Sequence, residues 1–461
     1  MLVLSQFHKS AFGQFRVVLS VLLHSLIFGI WQRLIWWLDK RNEQILKPIW
    51  ITDAYEQNTN FAAILGYCLG TMLMKSGRKL GFAILAVSQG IIMIIILYTS
   101  TKEVSVYIKH YFAFNEAAMV VLTACLLGEY IHPNCRAGCI FLQISALRFG
   151  NALSVILHKF FYFDTIASLC LFVQCISCLC IGFTQDLKPI GDMCDSEDYK
   201  LVNYENGSNK SLRSYSRTST IYNYLIKPII IITFSFILSE GSGRSTSSYM
   251  NFFEAKMSDI SYVYYSDLIF SIVFLISSVY LTFGGSFRSL LFTMGPTAIS
   301  VLGIVSVLSF LQANTIISLD QYLIPCLLFI YFVAAFFVCT YLPTILMAEI
   351  IPMKYKGTCL FLSNIIGFLI TKISIYVFPH LIVNVKLYVV LIVSLIIVTF
   401  CLLVLYFILP ETRGKTLKNI EERIVNIGIN ICFQNIDYTM DNEKYICYPK
   451  LTDGNKFDCF E

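Results

Sequence analysis

Charged residues are scarce in this sequence. Only 14% of its 461 residues are Asp, Glu, Lys or Arg, against about 25% in an average soluble protein. Hydrophobic residues make up 57% of the chain. One aqueous core cannot hide that much apolar surface, so the composition excludes an ordinary soluble domain and indicates a protein surrounded by lipid.

Several other features are missing as well. The net charge is only +5 and no block of basic residues stands out, which argues against nucleic-acid binding. The sixteen cysteines show no spacing typical of a disulfide framework. Cys175 and Cys178 form a C-x-x-C pair that could bind zinc, but they lie in an apolar run where small side chains simply pack. No GxSxG, HExxH, P-loop or dinucleotide motif is found, so we predict no enzyme, no cofactor and no metal site.

Long apolar stretches take the place of these features. A helix needs about 20 apolar residues to cross the roughly 30 Å hydrocarbon layer of a membrane. Twelve stretches approach or exceed this length, at approximately residues 16–38, 58–74, 80–98, 112–131, 138–158, 160–184, 227–250, 260–282, 289–311, 322–348, 358–381 and 386–409. The sequence therefore predicts an all-α membrane protein with twelve transmembrane helices.

Two polar segments interrupt the pattern, at residues 185–226 and 411–461. We therefore divide the chain into an N-terminal six-helix bundle (1–184), a linker (185–226), a C-terminal six-helix bundle (227–410) and a tail (411–461). Lys and Arg are enriched on the side that carries the linker, the N-terminus and the first part of the tail. Positive residues favour the cytoplasmic side, so we expect both ends of the chain to be cytoplasmic.

The two bundles repeat one charge pattern. Glu129, at the end of the fourth stretch, is followed seven residues later by Arg136, and Glu349, at the end of the tenth, is followed seven residues later by Lys356. The two pairs are 220 residues apart, and repeated halves are typical of secondary transporters. Each pair could clamp two helices together, because a carboxylate at the membrane boundary is tolerable when it is paired. Alternatively, these charges only mark the membrane edge.

Three motifs resemble the sugar porters of the major facilitator superfamily. Residues Leu409–Leu417 read LPETRGKTL, which is similar to the family's signature after the last span. Residues Gly70–Lys79 resemble the loop G-x-x-x-D-x-x-G-R-R/K, with Met74 standing where the family has aspartate. The two glutamate–cation pairs match the family's GE-x(6)-R-G loops, with a lysine in the second.

One stretch is similar to a narrower group. Residues Gly128–Asn151, and the pair Thr371–Lys372, are most similar to insect facilitated trehalose transporters, and the resemblance as a whole covers roughly residues 50–425. It implies two pseudo-symmetric six-helix bundles that alternate access to a central cavity. The gating residues that it implies are Glu129, Arg136, Glu349, Lys356, Gly77, Arg78, Arg288, Glu411 and Arg413.

The sugar-binding positions of the family are altered. Residues Ile237–Gly241 stand where the family has glutamines, and Thr344 follows Pro343 where a tryptophan is usual. Phe283 and Ser286 replace an aspartate and a glycine in a loop that keeps its arginine. The scaffold is therefore matched better than the sugar site.

Amides and hydroxyls are needed to bind sugar hydroxyl groups. Those that remain inside the spans are the candidate substrate-binding residues Gln143, Ser239, Thr246, Thr344 and Asn364. Each could instead make a structural hydrogen bond between helices.

Charged residues within the spans are costly and therefore informative. They are Arg148, Glu240, Arg244, Asp267 and Lys372. They could line a cavity for a charged solute, or they could pair structurally. His24 and His380 could bind protons, although a structural role is more usual for a single histidine near the end of a span.

These observations together predict a carrier that moves a small polar solute by facilitated diffusion. The resemblance implies a hexose or trehalose, a monomeric unit and a plasma-membrane location. Two alternatives stay open: an organic-ion carrier of the same fold, and a non-transporting relative that senses sugar.

Overall fold

A computed structural model describes residues 2–42, 53–98, 102–183, 225–243, 261–283, 285–316, 323–339, 341–352, 355–415 and 417–426. The described residues are almost entirely helical. The helices are α1 (Leu2–Asn42), α2 (Asp53–Ser76), α3 (Arg78–Tyr98), α4 (Lys102–Tyr130), α5 (Arg136–Phe160), α6 (Phe163–Gly182), α7 (Lys227–Gly241), α8 (Ser261–Phe283), α9 (Phe287–Ala313), α10 (Leu323–Val338), α11 (Leu342–Glu349), α12 (Lys356–Asn384), α13 (Leu387–Ile408) and α14 (Leu417–Asn426).

Many of these helices are suited to a membrane. Within the described residues, eight are long and apolar enough to cross a bilayer, and shorter apolar helical stretches cover 61–74, 268–283 and 326–335. Large apolar side chains such as Phe400, Leu403 and Phe407 point outward along α13 and are 57–60% exposed, as expected for a surface that faces lipid. The all-α membrane fold predicted from the sequence is confirmed, although not all twelve predicted spans appear as full-length membrane helices.

The tenth predicted span is not one helix. It was expected over 322–348, but α10 ends at Val338 and α11 begins at Leu342. Pro343 lies in the first turn of α11, where its missing N–H is tolerated; within a continuous helix its ring would clash with the carbonyl of residue 339. The break places Tyr341 between two helical segments.

The seventh predicted span, expected over 227–250, is also shorter. Helix α7 ends at Gly241, and Gly243 has a φ of +92°, a conformation that glycine adopts without strain. Residues 244–250 lie outside the described residues.

Glycines allow the closest helix contacts. At Gly29 and Gly150, helices α1 and α5 approach so closely that an added Cβ would collide with a backbone carbonyl of the facing helix. Gly66 and Gly70 of α2 likewise allow close contact with α4, where an added Cβ would collide with a backbone carbonyl. Small residues one turn apart are typical of helix pairs in membranes, where close van der Waals packing drives association.

Helices α1–α6 pack mainly on one another and form the N-half. Helices α7–α13 form the C-half, in which α8 packs more extensively on α5 of the N-half than on its own half. The halves meet where α5 contacts α8, α2 contacts α12, and α4 contacts α11. We call the end of the bundle that carries Gly77 and the segments 131–135, 350–352 and 409–415 the charged end. Several of the contacts between the halves lie there, so the two halves are closed against each other at the charged end.

Candidate functional site

A buried ion pair joins the two halves at the charged end. Glu129, in the last turn of α4, accepts a hydrogen bond from the Lys356 Nζ at 2.9 Å, and its other carboxylate oxygen contacts Nε of Arg78. The Lys356 and Glu129 side chains are only 2% and 3% exposed. Arg78 and Glu129 belong to the N-half, whereas Lys356 is the first residue of α12 in the C-half.

The second carboxylate also faces the opposite half. Glu349, at the end of α11, is buried and interacts electrostatically with the Arg136 guanidinium at the start of α5. Thr412, from the segment after α13, is hydrogen-bonded to the Glu349 side chain. Arg136 in turn interacts electrostatically with both Glu349 and Glu129.

The sequence repeat predicts that Glu129 pairs with Arg136 and Glu349 with Lys356, each within one half. In the structure, Glu129 instead pairs with Lys356 of the other half. Helices α4 and α11 pack directly together, because Gly128 leaves room for the Ala348 carbonyl; an added Cβ would lie 2.6 Å from that oxygen. The two carboxylates are therefore neighbours across the interface; Glu129 pairs with Lys356 of the other half, and Glu349 interacts electrostatically with Arg136 of the other half. Glu129 thus pairs with Lys356 and not with Arg136, the cation seven residues after it in sequence.

Met74 lies beside this ion pair. Its Sδ is 3.0 Å from the Cys125 Sγ, and its Cε is 3.1 Å from where a Cβ of Gly357 would be. Where the related loops have an aspartate, this chain thus places an apolar side chain between α2 and α12. Arg78 and Lys356 consequently share a single carboxylate. Gly77, three residues on, has a φ of +134° and turns the chain into α3.

The segment after α13 adds a second charged cluster. Arg288 donates to the Tyr406 carbonyl at 3.2 Å, and the backbone N–H of Arg413 donates to Glu411 Oε1 at 3.2 Å. Burial, and then the nearby Arg423 guanidinium, lower the pKa of Lys415, while Glu411 opposes the shift. Lys415 therefore lies near charged side chains of α9 and α14.

The same segment reaches the N-half. Gly414 has a φ of +68°, and an added Cβ there would lie 3.0 Å from the Asn134 side-chain oxygen in the loop between α4 and α5. The LPETRGKTL motif is therefore a strap across the charged end.

Polar contacts away from the charged end also connect helices. Arg148 of α5 donates from Nε and Nη2 to the Tyr341 hydroxyl, at 3.2 and 3.0 Å, and this contact joins the halves at the break in the tenth span. In the C-half, Thr371 donates to the buried Glu240 carboxylate at 2.8 Å. Tyr341 was not recognised in the sequence; a hydroxyl immediately before a leucine–proline helix start is the signal that could have indicated it.

The predicted sugar-binding residues have varied surroundings. Gln143 is half-buried and makes no hydrogen bond within the described part of the chain, and Thr344 is half-buried next to Tyr341. Ser239 and Asn364 are buried, and the Asn364 amide donates to the Leu360 carbonyl of its own helix at 2.8 Å. Thr246 lies outside the described residues, as do Arg244 and the side chains of Asp267 and His380.

No group of three or more His, Cys, Asp or Glu side chains is placed to hold a metal ion within the described ranges. The polar side chains of these helices suit hydrogen bonding to a solute and ion pairing between helices.

Comparison with known proteins adds three findings. The profile of the family described as "Sugar (and other) transporter" matches residues 190–424, about half of the chain. The comparison with curated protein sequences finds no match. Two solved structures of XylE, a proton:xylose symporter, resemble this structure: one with a bound bromo-deoxyglucose at 14% identity and a TM-score of 0.67, and a double-tryptophan mutant at 13% identity and a TM-score of 0.68. Each match covers 89% of this chain and 98% of the other.

A third solved structure has the same architecture. The human organic anion transporter MFSD10 is 12% identical, with a TM-score of 0.54, and the match covers 91% of this chain and 99% of the other. At these identities the likeness concerns the fold, which is that of the major facilitator superfamily.

Proposed function

Because this chain belongs to the sugar (and other) transporter family, we propose that the solute it carries across the membrane is a sugar, a hexose or trehalose. The major facilitator fold and the family make it a multi-pass membrane transporter. The proposal of trehalose rests on the resemblance of Gly128–Asn151 to trehalose carriers. Transport is by facilitated diffusion. The protein lies in the plasma membrane, with both ends of the chain in the cytoplasm.

The observation that carries the mechanism is the buried Glu129–Lys356 bond between the halves. A solute can leave through the charged end only if that bond and the neighbouring contact of Gly128 with Ala348 separate. A buried ion pair is a poor net stabiliser, because removing two charges from water costs nearly as much as their attraction returns. When the halves part, water reaches both charges and compensates for the lost bond, so the pair acts as a reversible latch.

Arg136, Glu349 and the strap belong to the same gate. Arg136 and Glu349 interact across the interface, and the strap residue Thr412 is hydrogen-bonded to Glu349. Arg78 shares Glu129. Separation of the halves breaks the Glu129–Lys356 bond and the Arg136–Glu349 interaction together, which favours two discrete states over a gradual opening.

The sugar binds between the halves, away from the charged end. Gln143, Ser239, Thr246, Thr344 and Asn364 offer the amides and hydroxyls for its hydroxyl groups. The half-buried Gln143 amide has no bond to lose within the described part of the chain, so it is the first of these residues to test. Phe368 packs against Tyr67 of the other half, with 6.5 Å between the ring centroids, and offers an aromatic face to the sugar ring.

An uptake screen in proteoliposomes tests this proposal. Labelled glucose, trehalose and xylose are compared with labelled organic anions, with and without a pH gradient. We expect saturable sugar entry that stops at equal concentrations and ignores the pH gradient. Gln143→Leu should raise the KM for sugar, whereas Gln312→Leu, the same change at an exposed position near the end of α9, should not. Sugar flux no faster than in protein-free liposomes would refute the proposal.

A specific contact favours a second solute class. Arg148 is a cation only partly buried at the interface of the halves, and its bonds to Tyr341 join them. A carboxylate on the solute would meet this guanidinium in a favourable geometry. If organic anions rather than sugars enter in the screen, and Arg148→Gln abolishes their entry, the solute is an organic anion.

The non-transporting alternative makes a different prediction. Met74, and the altered positions Phe283 and Ser286, weaken the resemblance to active carriers. A sensor would bind sugar without flux, and equilibrium binding to the purified protein measured beside the screen separates the two. We also propose that the transporter works as a monomer. Its chain is divided into an N-terminal bundle (1–184), a linker (185–226), a C-terminal bundle (227–410) and a tail (411–461).

A further inference from the structure

The N-half contains a buried polar cluster that belongs neither to the gate nor to the sugar site. It consists of His24 on α1, Gln89 on α3, Asn115 on α4 and Gln174 on α6. All four side chains are at most 3% exposed. Four polar side chains from four helices in the interior of one half require hydrogen-bond partners, because buried polar groups are rarely left without them.

The cluster is built from two hydrogen-bonded pairs. The Gln174 amide nitrogen lies 3.2 Å from His24 Nδ1 and donates to the Ala86 carbonyl at 3.0 Å. The Asn115 amide donates to the Gln89 side-chain oxygen at 3.3 Å. Ala86 and Gln89 lie three residues apart on α3, so they share one helix face and bring the two pairs together.

Each pair leaves one donor and one acceptor without a partner. The Gln174 amide nitrogen can only donate, so His24 Nδ1 accepts and the ring proton is on Nε2. This His24 Nε2 and the Gln89 amide nitrogen are buried donors without a partner within the described residues. The side-chain oxygens of Gln174 and Asn115 are buried acceptors that also have no hydrogen-bond partner among the described residues.

Rotating the amides does not remove the imbalance. Turning Gln174 over would point its oxygen at the Ala86 carbonyl, with two acceptors face to face. Turning Gln89 and Asn115 over together would keep their mutual bond but again leave one donor and one acceptor free. The chemistry of the cluster, rather than the choice of amide orientation, therefore calls for a further group that both donates and accepts.

We propose that ordered water occupies this cluster and links α1, α3, α4 and α6. Water donates two hydrogen bonds and accepts two, which matches the unpartnered groups in kind and number, and buried water typically makes two to four such bonds. The water completes the hydrogen bonding of all four side chains. It makes these four helices a single rigid unit within the N-half, independent of which solute is carried.

Hydroxyl-radical footprinting of the intact protein in detergent tests this. X-rays generate radicals from bound water as well as from bulk water, so a buried side chain is oxidised only if water is beside it. Phe82 is 0% exposed and its ring centroid lies 5.4 Å from that of His24. Phe141 is equally buried but packs against Phe274 and Phe287. We expect oxidation of His24 and Phe82 to be several-fold faster than that of Phe141.

Two variants sharpen the result. Gln89→Leu fills the cluster with an apolar side chain, and we expect oxidation of Phe82 to fall to the rate of Phe141. Ser88→Ala is the control at the adjacent position, where the hydroxyl is bonded to Tyr111 at 2.6 Å, and it should leave the Phe82 rate unchanged. If Gln89→Leu does not fold, the comparison within the wild-type protein still decides. Equal rates for Phe82 and Phe141 in the wild-type protein would show a dry cluster and overturn the proposal.

Discussion

Replacing Glu129 by glutamine should open the charged end. The change removes the carboxylate shared by Lys356, which is buried in the closed arrangement, and Arg78, whose side chain is 16% exposed. Breaking a buried ion pair by removing one partner costs about 3–5 kcal/mol, and since glutamine still accepts a hydrogen bond we take about 3 kcal/mol, which is roughly a 100-fold shift toward the open state. The stranded cations regain water when the halves separate, so this cost falls on the closed state alone.

A native cysteine reports the shift. Cys359 is 0% exposed and lies three residues after Lys356, on the same side of α12. Alkylation by a water-soluble maleimide, followed by mass spectrometry of the α12 peptide, measures how often it becomes accessible. We expect Glu129→Gln to increase the alkylation rate by up to roughly 100-fold, because the rate follows the open population. Cys170, buried in the N-half, should stay unmodified and thereby report that the fold is intact.

The control carries the same substitution elsewhere on the same helix. Glu116 is exposed on α4, so Glu116→Gln should leave the alkylation of Cys359 at the wild-type rate. If Cys359 is alkylated no faster in the Glu129→Gln protein than in the Glu116→Gln protein, the Glu129 carboxylate does not hold the halves together. The proposed role of the Glu129–Lys356 pair as a latch would then be refuted.

Three further changes probe the same account. Gly128→Ala places a Cβ 2.6 Å from the Ala348 carbonyl, and at about 1–3 kcal/mol for overpacking it should also speed maleimide labelling of the gate. Met74→Asp supplies a second carboxylate to Lys356 and Arg78, the two cations that share Glu129, so labelling should slow and solute flux should fall. Tyr341→Phe removes the acceptor of the Arg148 bonds, worth about 1.5–3 kcal/mol for a charged group. If that contact holds the solute site in shape, the KM for the transported solute rises roughly tenfold or more.

The helices were largely predictable because membrane crossing imposes a length and a polarity that a sequence displays directly. The fourth helix, expected over 112–131, runs over Lys102–Tyr130. Pro343 contained the information for the break in the tenth span, but the apolar run on either side of it concealed that break.

The sequence predicted Glu129 and Lys356 as gating residues, but it did not predict that they pair with each other. Sequence spacing places Glu129 near Arg136. The bond to Lys356 depends instead on how the two halves pack, because Glu129 and Lys356 are 227 residues apart in sequence. That packing is set by Gly128 against a backbone carbonyl, a contact between distant segments that no local pattern contains. The contact of Arg148 with Tyr341 was missed for the same reason.

The central claim is that solute movement separates the halves at the charged end. Alkylation of Cys359 in the wild-type protein, with and without the sugar that enters proteoliposomes, measures this directly. We predict that the transported sugar changes the labelling rate of Cys359 while Cys170 stays protected and a non-transported sugar has no effect. Sustained sugar flux while Cys359 stays as protected as Cys170 would contradict a gate at Glu129 and Lys356.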